Sequence, residues 1–357
     1  MPISSASILK KLLLLFLVVA GLIFAKDFLI PLSLGAVLAT LLLPLARKME
    51  SKGMPKALSS TLCLMVVLFG IALVFLMISW QISEIVKDIA LIREEFAAKT
   101  ILVQEYIFNQ FGLTADAQWQ MIKNRESSIA NFIQNFAGSV FSVSGTVLFI
   151  LVYIFLFLYY RTHLKNFILK LFPANQQIAT EQIIQRCAKV SQQYLVGLAK
   201  MIGCLWAMYG LGFWLLGVEN ALFFAVLCGM LEIIPFIGNL TGTGITVLVA
   251  AVNGGSMAML GGIVIVYGSV QLIQGWILEP LILGPQVKIN PFFTILALVL
   301  GEIIWGIPGI ILAIPLTAIT KIICDHIDSL KPYGFLIGEL ESSSAEFSRK
   351  RWWQRKK

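Results

Sequence analysis

Residues 58–80 are an almost unbroken apolar run, and hydrocarbon leaves such a run little choice of shape. No water is available there to satisfy backbone N–H and C=O groups, so the chain must pair them internally, as a helix does. At 1.5 Å per residue, about 20 residues cross the roughly 30 Å of a bilayer core. Residues 145–160 come close to the same length. Of the 357 residues 58% are hydrophobic and 13% are charged, against about 25% charged in soluble domains. A soluble helical protein would need far more polar surface. The expected fold class is an all-α polytopic membrane protein with about eight transmembrane helices.

The formal net charge is +8, yet the cations do not form a patch interleaved with aromatics, so nucleic acid is not an expected partner. They sit at the ends of apolar runs: Lys10 and Lys11; Arg47, Lys48, Lys52 and Lys56; Arg161, Lys165 and Lys170; Arg186, Lys189 and Lys200; and Arg349 to Lys357 in the tail. By the positive-inside rule this pattern places both termini in the cytoplasm. Tail residues Trp352 and Trp353 fit an interfacial anchor to anionic membrane lipid. Residues 10–25 resemble a secretory signal, but Ile23 and Ala25 make a poor cleavage site and a second apolar run follows at once, so a retained first helix is expected.

The organisation follows from these runs. Residues 1–80 hold three transmembrane helices, the first two joined through Lys26-Asp27 as a tight hairpin. Residues 81–137 mix charge with apolar residues at helical period and form an extracytoplasmic amphipathic segment. Residues 138–216 hold two further spans and a cytoplasmic helix over 173–194. Residues 217–327 form a C-terminal core with broken or re-entrant helices, and 328–357 a basic cytoplasmic tail. In that core 221–252 and 291–323 are too long for one span, so each is either a kinked helix or a pair of half-helices.

Catalytic chemistry finds little support. His163 and His326 have no partner at metal spacing, the five cysteines show no metal or redox spacing, and no nucleotide loop or protease motif is present. The chain is therefore not expected to be an enzyme, and no cofactor or metal site is expected beyond a transported or coupling Na+ or H+. What remains is a set of polar groups at membrane depth. Glu232, Asn239, Thr241 and Thr243 surround Pro235 and Gly238. Gln271, Gln274 and Glu279 precede Pro280 at helical spacing. Glu302 precedes Gly306, Pro308 and Gly309. A carboxylate at a span's centre costs about 2.5–3.5 kcal/mol on insertion scales, and broken helices expose groups that bind ions or polar solutes near the midplane. All fourteen residues are candidates for a substrate or ion pathway. Headgroup-level placement of Glu279 and Glu302, with glycines serving only packing, is the competing reading.

Several of these segments resemble one family. Gln274-Gly-Trp-Ile-Leu-Glu-Pro-Leu-Ile-Leu-Gly284, Ile289-Asn-Pro291, Trp305-Gly-Ile-Pro-Gly-Ile-Ile-Leu-Ala-Ile-Pro315 and Glu232-Ile-Ile-Pro-Phe-Ile-Gly238 are similar to motifs of the AI-2E transporters, or PerM-like permeases. The resemblance runs from about Ile8 to Ile327, with the specific motifs in the last third. It implies an oligomeric bacterial inner-membrane protein that exports or exchanges small solutes. Some members are described as exporters of the signal autoinducer-2, others as sodium- or lithium-proton antiporters. Asn290-Pro291 stands where many relatives have His-Pro, and Asn239 replaces a frequent proline, so the substrate does not carry over. The expectation is a secondary transporter, with Glu232, Glu279 and Glu302 as coupling groups. A cation/proton antiporter, a non-transporting scaffold and a passive channel are the alternatives.

Overall fold

The computed structural model describes residues 5–87, 145–233 and 237–339. The bulk of the expected extracytoplasmic segment, the end of the tail and Pro235 lie outside the described residues. The described chain is helical, with one isolated antiparallel bridge between Ile289 and Gly338. Its elements are α1 (Ser5–Phe24), α2 (Lys26–Glu50) and α3 (Lys56–Lys87), then α4 (Gly145–Lys170). There follow α5 (Ala174–Leu215), α6 (Ala221–Leu231), α7 (Ile237–Val252) and α8 (Met257–Ile273), which runs into a π-helical stretch, Gln274–Leu283. The short α9 (Gly284–Val287), α10 (Pro291–Trp305), α11 (Ile307–His326) and α12 (Lys331–Ile337) complete it.

Among the described residues six helices are long and apolar enough to cross a membrane. Their outward surfaces are apolar too: Phe69 is 70% exposed and Trp276 82%. Only lipid gives so much unpaired apolar surface a matching environment. The protein is a multi-pass membrane protein.

The interior divides into two cores. One joins α2, α3 and α4 through Ala39, Leu42, Ala46, Cys63, Ile154 and Leu158. At its basic end Arg161 is ion-paired with Glu50, which also accepts from Ser59 Oγ at 2.9 Å. The second core joins α5 to α8 through Leu205, Tyr209, Phe213, Phe224, Cys228 and Ile263. Helix α5 serves both regions, packing on α2, α6, α8, α11 and the π-helical stretch.

Local structure departs from expectation in three places. Helical hydrogen bonds run through Ala25, from its N–H to Gly21 O at 3.0 Å and from Leu29 N–H to Ala25 O at 2.8 Å. The α1–α2 junction is a bend, not the tight hairpin that Lys26-Asp27 suggested. Residues 173–194 and 195–216 are one helix: α5 has 42 residues, about 63 Å at 1.5 Å per residue. The change from charged to apolar sequence at Tyr194–Leu195 marks a change of solvent, with no cap to end the helix. Finally, residues 328–339 do not hang free. The Asn290 amide donates to Leu336 O at 2.8 Å and Gly338 O at 3.0 Å, and its N–H donates to Ile337 O at 3.0 Å. The same Asn290 caps α10 by accepting from Phe293 N–H at 2.9 Å.

Both overlong runs resolve as pairs of helices. Helices α6 and α7 have 11 and 16 residues, about 16 and 24 Å, short of the roughly 30 Å of hydrocarbon. They lie antiparallel, Gly242 against Cys228 and Gly238 against the Leu231 carbonyl. Helices α10 and α11 turn about Gly306 alone, whose φ of 63° and ψ of −141° a side chain would not tolerate. Beyond the turn, Gly301 and Gly309 meet backbone to backbone.

Candidate functional site

The α6–α7 hairpin, α5 and the end of α8 enclose a polar cluster in the second core. Glu232 ends α6, its N–H bonded to Cys228 O at 3.2 Å, and its side chain is 6% exposed. Asn239 lies in the first turn of α7, fully buried, and its Oδ1 accepts from Tyr209 Oη–H of α5 at 2.7 Å. Gln274, 2% exposed, stands where α8 changes into the π-helical stretch. Its Nε2 donates to Glu232 Oε1 at 2.5 Å and to Glu279 Oε1 at 3.3 Å.

The π turn makes that double bond possible. Gln274 and Glu279 are five residues apart, about 140° around an α-helix. Pro280 has no N–H to give the carbonyl four residues earlier and crowds it, and the chain adopts the wider turn over Gln274–Leu283. Single π turns inside helices are frequent at functional sites. Gln274 therefore spans a buried carboxylate and an exposed one.

Two oxygens in the cluster are left over. Glu232 Oε2 and Gln274 Oε1 are buried with no hydrogen-bond partner, as is Asn239 Nδ2. The Asn239 amide is an electrostatic neighbour of Glu232, but the two do not reach hydrogen-bond geometry. No cation is ion-paired with Glu232 among the described residues. A buried carboxylate without a counter-charge or full hydrogen bonding is costly. The arrangement is suited to accept a proton or a small oxygen-seeking cation, either of which would relieve that cost.

The remaining candidates divide cleanly. Thr243 is buried on α7 with an unpartnered Oγ1, close to the Cys228 thiol; Thr241 is exposed, and Gln271 half-buried one turn before Gln274. Gly238 holds the α6–α7 approach. Glu302 is exposed on α10, whose principal partners are α11 and α1, so it stands apart from the cluster. Gly306, Pro308 and Gly309 build the α10–α11 turn and its close contact. No group of three or more potential metal ligands occurs among the described residues.

Comparison with known proteins gives the family of the chain. Residues 12–329 match the model of the AI-2E family transporters. This chain belongs to that family. It is 24% identical over 318 residues to "Putative transport protein YrrI" of Bacillus subtilis, covering 84% of this chain and 87% of that protein. "Putative transport protein YhhT" of Escherichia coli K12 is 24% identical over 319 residues, 88% of this chain and 89% of that one. A "Putative transport protein" of Haemophilus influenzae is 23% identical over 338 residues, 91% and 94% respectively.

Within the AI-2E chain, the segments that carried the resemblance are structurally distinct pieces. Glu232 and Gly238 flank the α6–α7 junction, Gln274 to Leu283 is the π-helical stretch, and Trp305 to Pro315 runs from the turn at Gly306 into α11. Sequence reasoning missed Tyr209. Its signal was present but weak: a buried tyrosine hydroxyl needs a partner, and Tyr209 lies in an apolar run with none nearby in sequence.

Proposed function

We propose that this AI-2E protein is a secondary transporter of the bacterial inner membrane that exports or exchanges a small solute against H+ or Na+, with Glu232 as the coupling carboxylate. The observation that carries this reading is Glu232 itself, 6% exposed among helices of a membrane protein, with one oxygen bonded to Gln274 and the other unpartnered. Most buried structural carboxylates have both oxygens satisfied. One that loads and releases a cation needs a free oxygen in the empty state. Gln274 orients the carboxylate, and Glu279 at the rim is the group through which ions approach.

The basic ends support an orientation with both termini in the cytoplasm. Lys56 Nζ donates to Thr162 Oγ1 at 3.3 Å, Lys165 pairs with Glu181 at 2.9 Å, and Arg186 lies 2.8 Å from His326 Nε2. These contacts gather the basic ends of α2 to α5 and the end of α11 on one side, which the positive-inside rule assigns to the cytoplasm. The reading needs no catalytic step and no resident cofactor.

The test is flux in sealed proteoliposomes under imposed Na+ and proton gradients. Glu232→Gln is expected to abolish gradient-driven movement while the protein elutes as the folded species. Undiminished flux in that variant would remove Glu232 from the mechanism and favour a scaffold role. Conductance without gradient coupling in the wild type would identify a passive channel.

A further inference from the structure

A second polar feature lies beside this cluster and is used by nothing above. Between α5 and the π-helical stretch is a cleft of about 310 Å3 lined by Gln192, Gln193, Lys200, Leu281, Ile282 and Gln286, among others. Its lining contains one cation, three amides and no carboxylate. Neither Lys200 nor any of the three glutamines has a side-chain hydrogen bond or ion pair among the described residues. Lys200 is exposed at the mouth of the cleft, one of the cations at the basic end of the apolar part of α5. It borders a cavity whose size is at the lower end of small-molecule sites, about 300–1,000 Å3.

The cleft also abuts the coupling machinery. Its wall residues Leu281 and Ile282 belong to the π-helical stretch that carries Gln274 and Glu279. Gly197 brings that stretch against α5, where a Cβ would stand 3.3 Å from Ile282 O. Tyr194, beside Gln193 in sequence, is an electrostatic neighbour of Glu279. A molecule in the cleft would touch the same element that carries Gln274.

We infer that this cleft is the solute site of the transporter, and that the solute is a small hydroxylated anion such as a hydroxy acid, a sugar acid or a polyol phosphate. This inference rests on the transport reading above. Lys200 supplies the point charge, a compact ammonium with three donors. The amides of Gln192, Gln193 and Gln286 each donate and accept, matching hydroxyls that do the same. Leu281 and Ile282 receive the carbon skeleton. A cationic solute would meet Lys200 with nothing to offset it, and a neutral polyol would leave the ammonium unpaired.

The experiment is thermal unfolding of the purified full-length protein with glycerate, gluconate or glycerol 3-phosphate as the probe. Glycerol, choline chloride and sodium chloride at matched ionic strength are the controls. At least one anion is expected to raise the midpoint saturably, as a ligand specific to the folded state must, and the controls are not. Lys200→Met should weaken that ligand by about tenfold or more, the loss typical of removing a charge-assisted contact, and Lys200→Arg should restore part of it. Gln286→Leu gives a second readout should Lys200→Met fail to elute as a folded species, with a weaker loss expected. No saturable shift from any anion, or an undiminished shift in both cleft variants, overturns the cleft assignment without touching Glu232. Normal flux in Glu232→Gln overturns the coupling assignment without touching the cleft.

Discussion

The two helical hairpins of the last third, α6–α7 and α10–α11, are built alike and used differently. Each is an apolar run turned back on itself, each is broken near a proline and a glycine, and each carries one glutamate. In the first, the glutamate ends α6 and faces inward, meeting Gln274 and the Asn239–Tyr209 pair. In the second, Glu302 lies on the exposed side of α10, and the inner side is given to backbone contact between Gly301 and Gly309. A polar interruption in a membrane run is thus ambiguous on its own. What separates a site from a turn is whether partners from other helices converge on it, and only α6–α7 is enclosed by α5 and the α8–π junction.

The largest contrast between the hairpins should appear in flux. Glu232→Gln is expected to eliminate gradient-driven transport in proteoliposomes, and Glu302→Gln to leave it within about twofold of wild type, since exposed polar changes away from a site are usually near neutral. Equal losses would erase the distinction. Stability should show the opposite bias. Gly309→Val places a side chain on the Gly301 carbonyl, an overpacking of about 1–3 kcal/mol or more, read as a lowered unfolding midpoint in detergent. Tyr209→Phe then sharpens the picture of the first hairpin. It leaves the buried Asn239 Oδ1 without its donor, at a cost of about 1–3 kcal/mol, with transport reduced but not lost. The smallest effect expected is that of Asn290→Ala, which removes the α10 cap and the bonds to Leu336 and Gly338. Cap loss alone costs about 0.5–2 kcal/mol, and flux should persist.

The fold class was legible because hydrocarbon tolerates so few arrangements that composition and run length decide it. The hairpins were not, since a kinked span and a half-helix pair carry the same prolines and glycines. Gly301 and Gly309, eight residues apart around Gly306, distinguish them only once the turn is known. The unbroken α5 was hidden for another reason: the boundary at Tyr194–Leu195 is one of environment, and a helix crosses it without cost. In the cluster, Glu232, Asn239 and Gln274 were readable as polar residues out of place, whereas their union was not. Glu232 and Gln274 are 42 residues apart, and Tyr209 reaches Asn239 across 30. Gln274 and Glu279 were grouped by helical spacing, but their bond is made across a π turn that an α-helical period does not describe.

The most direct test of the central claim is chemical. A hydrophobic carbodiimide modifies protonated carboxyl groups in apolar surroundings, and peptide mass spectrometry locates the adduct. Modification of Glu232 in membranes is expected to slow as pH rises and to slow again when the coupling cation is added, while a water-soluble carbodiimide leaves the residue untouched. Rapid modification by the water-soluble reagent, or a rate indifferent to pH and to Na+, would contradict a buried, loadable carboxylate at the centre of this transporter.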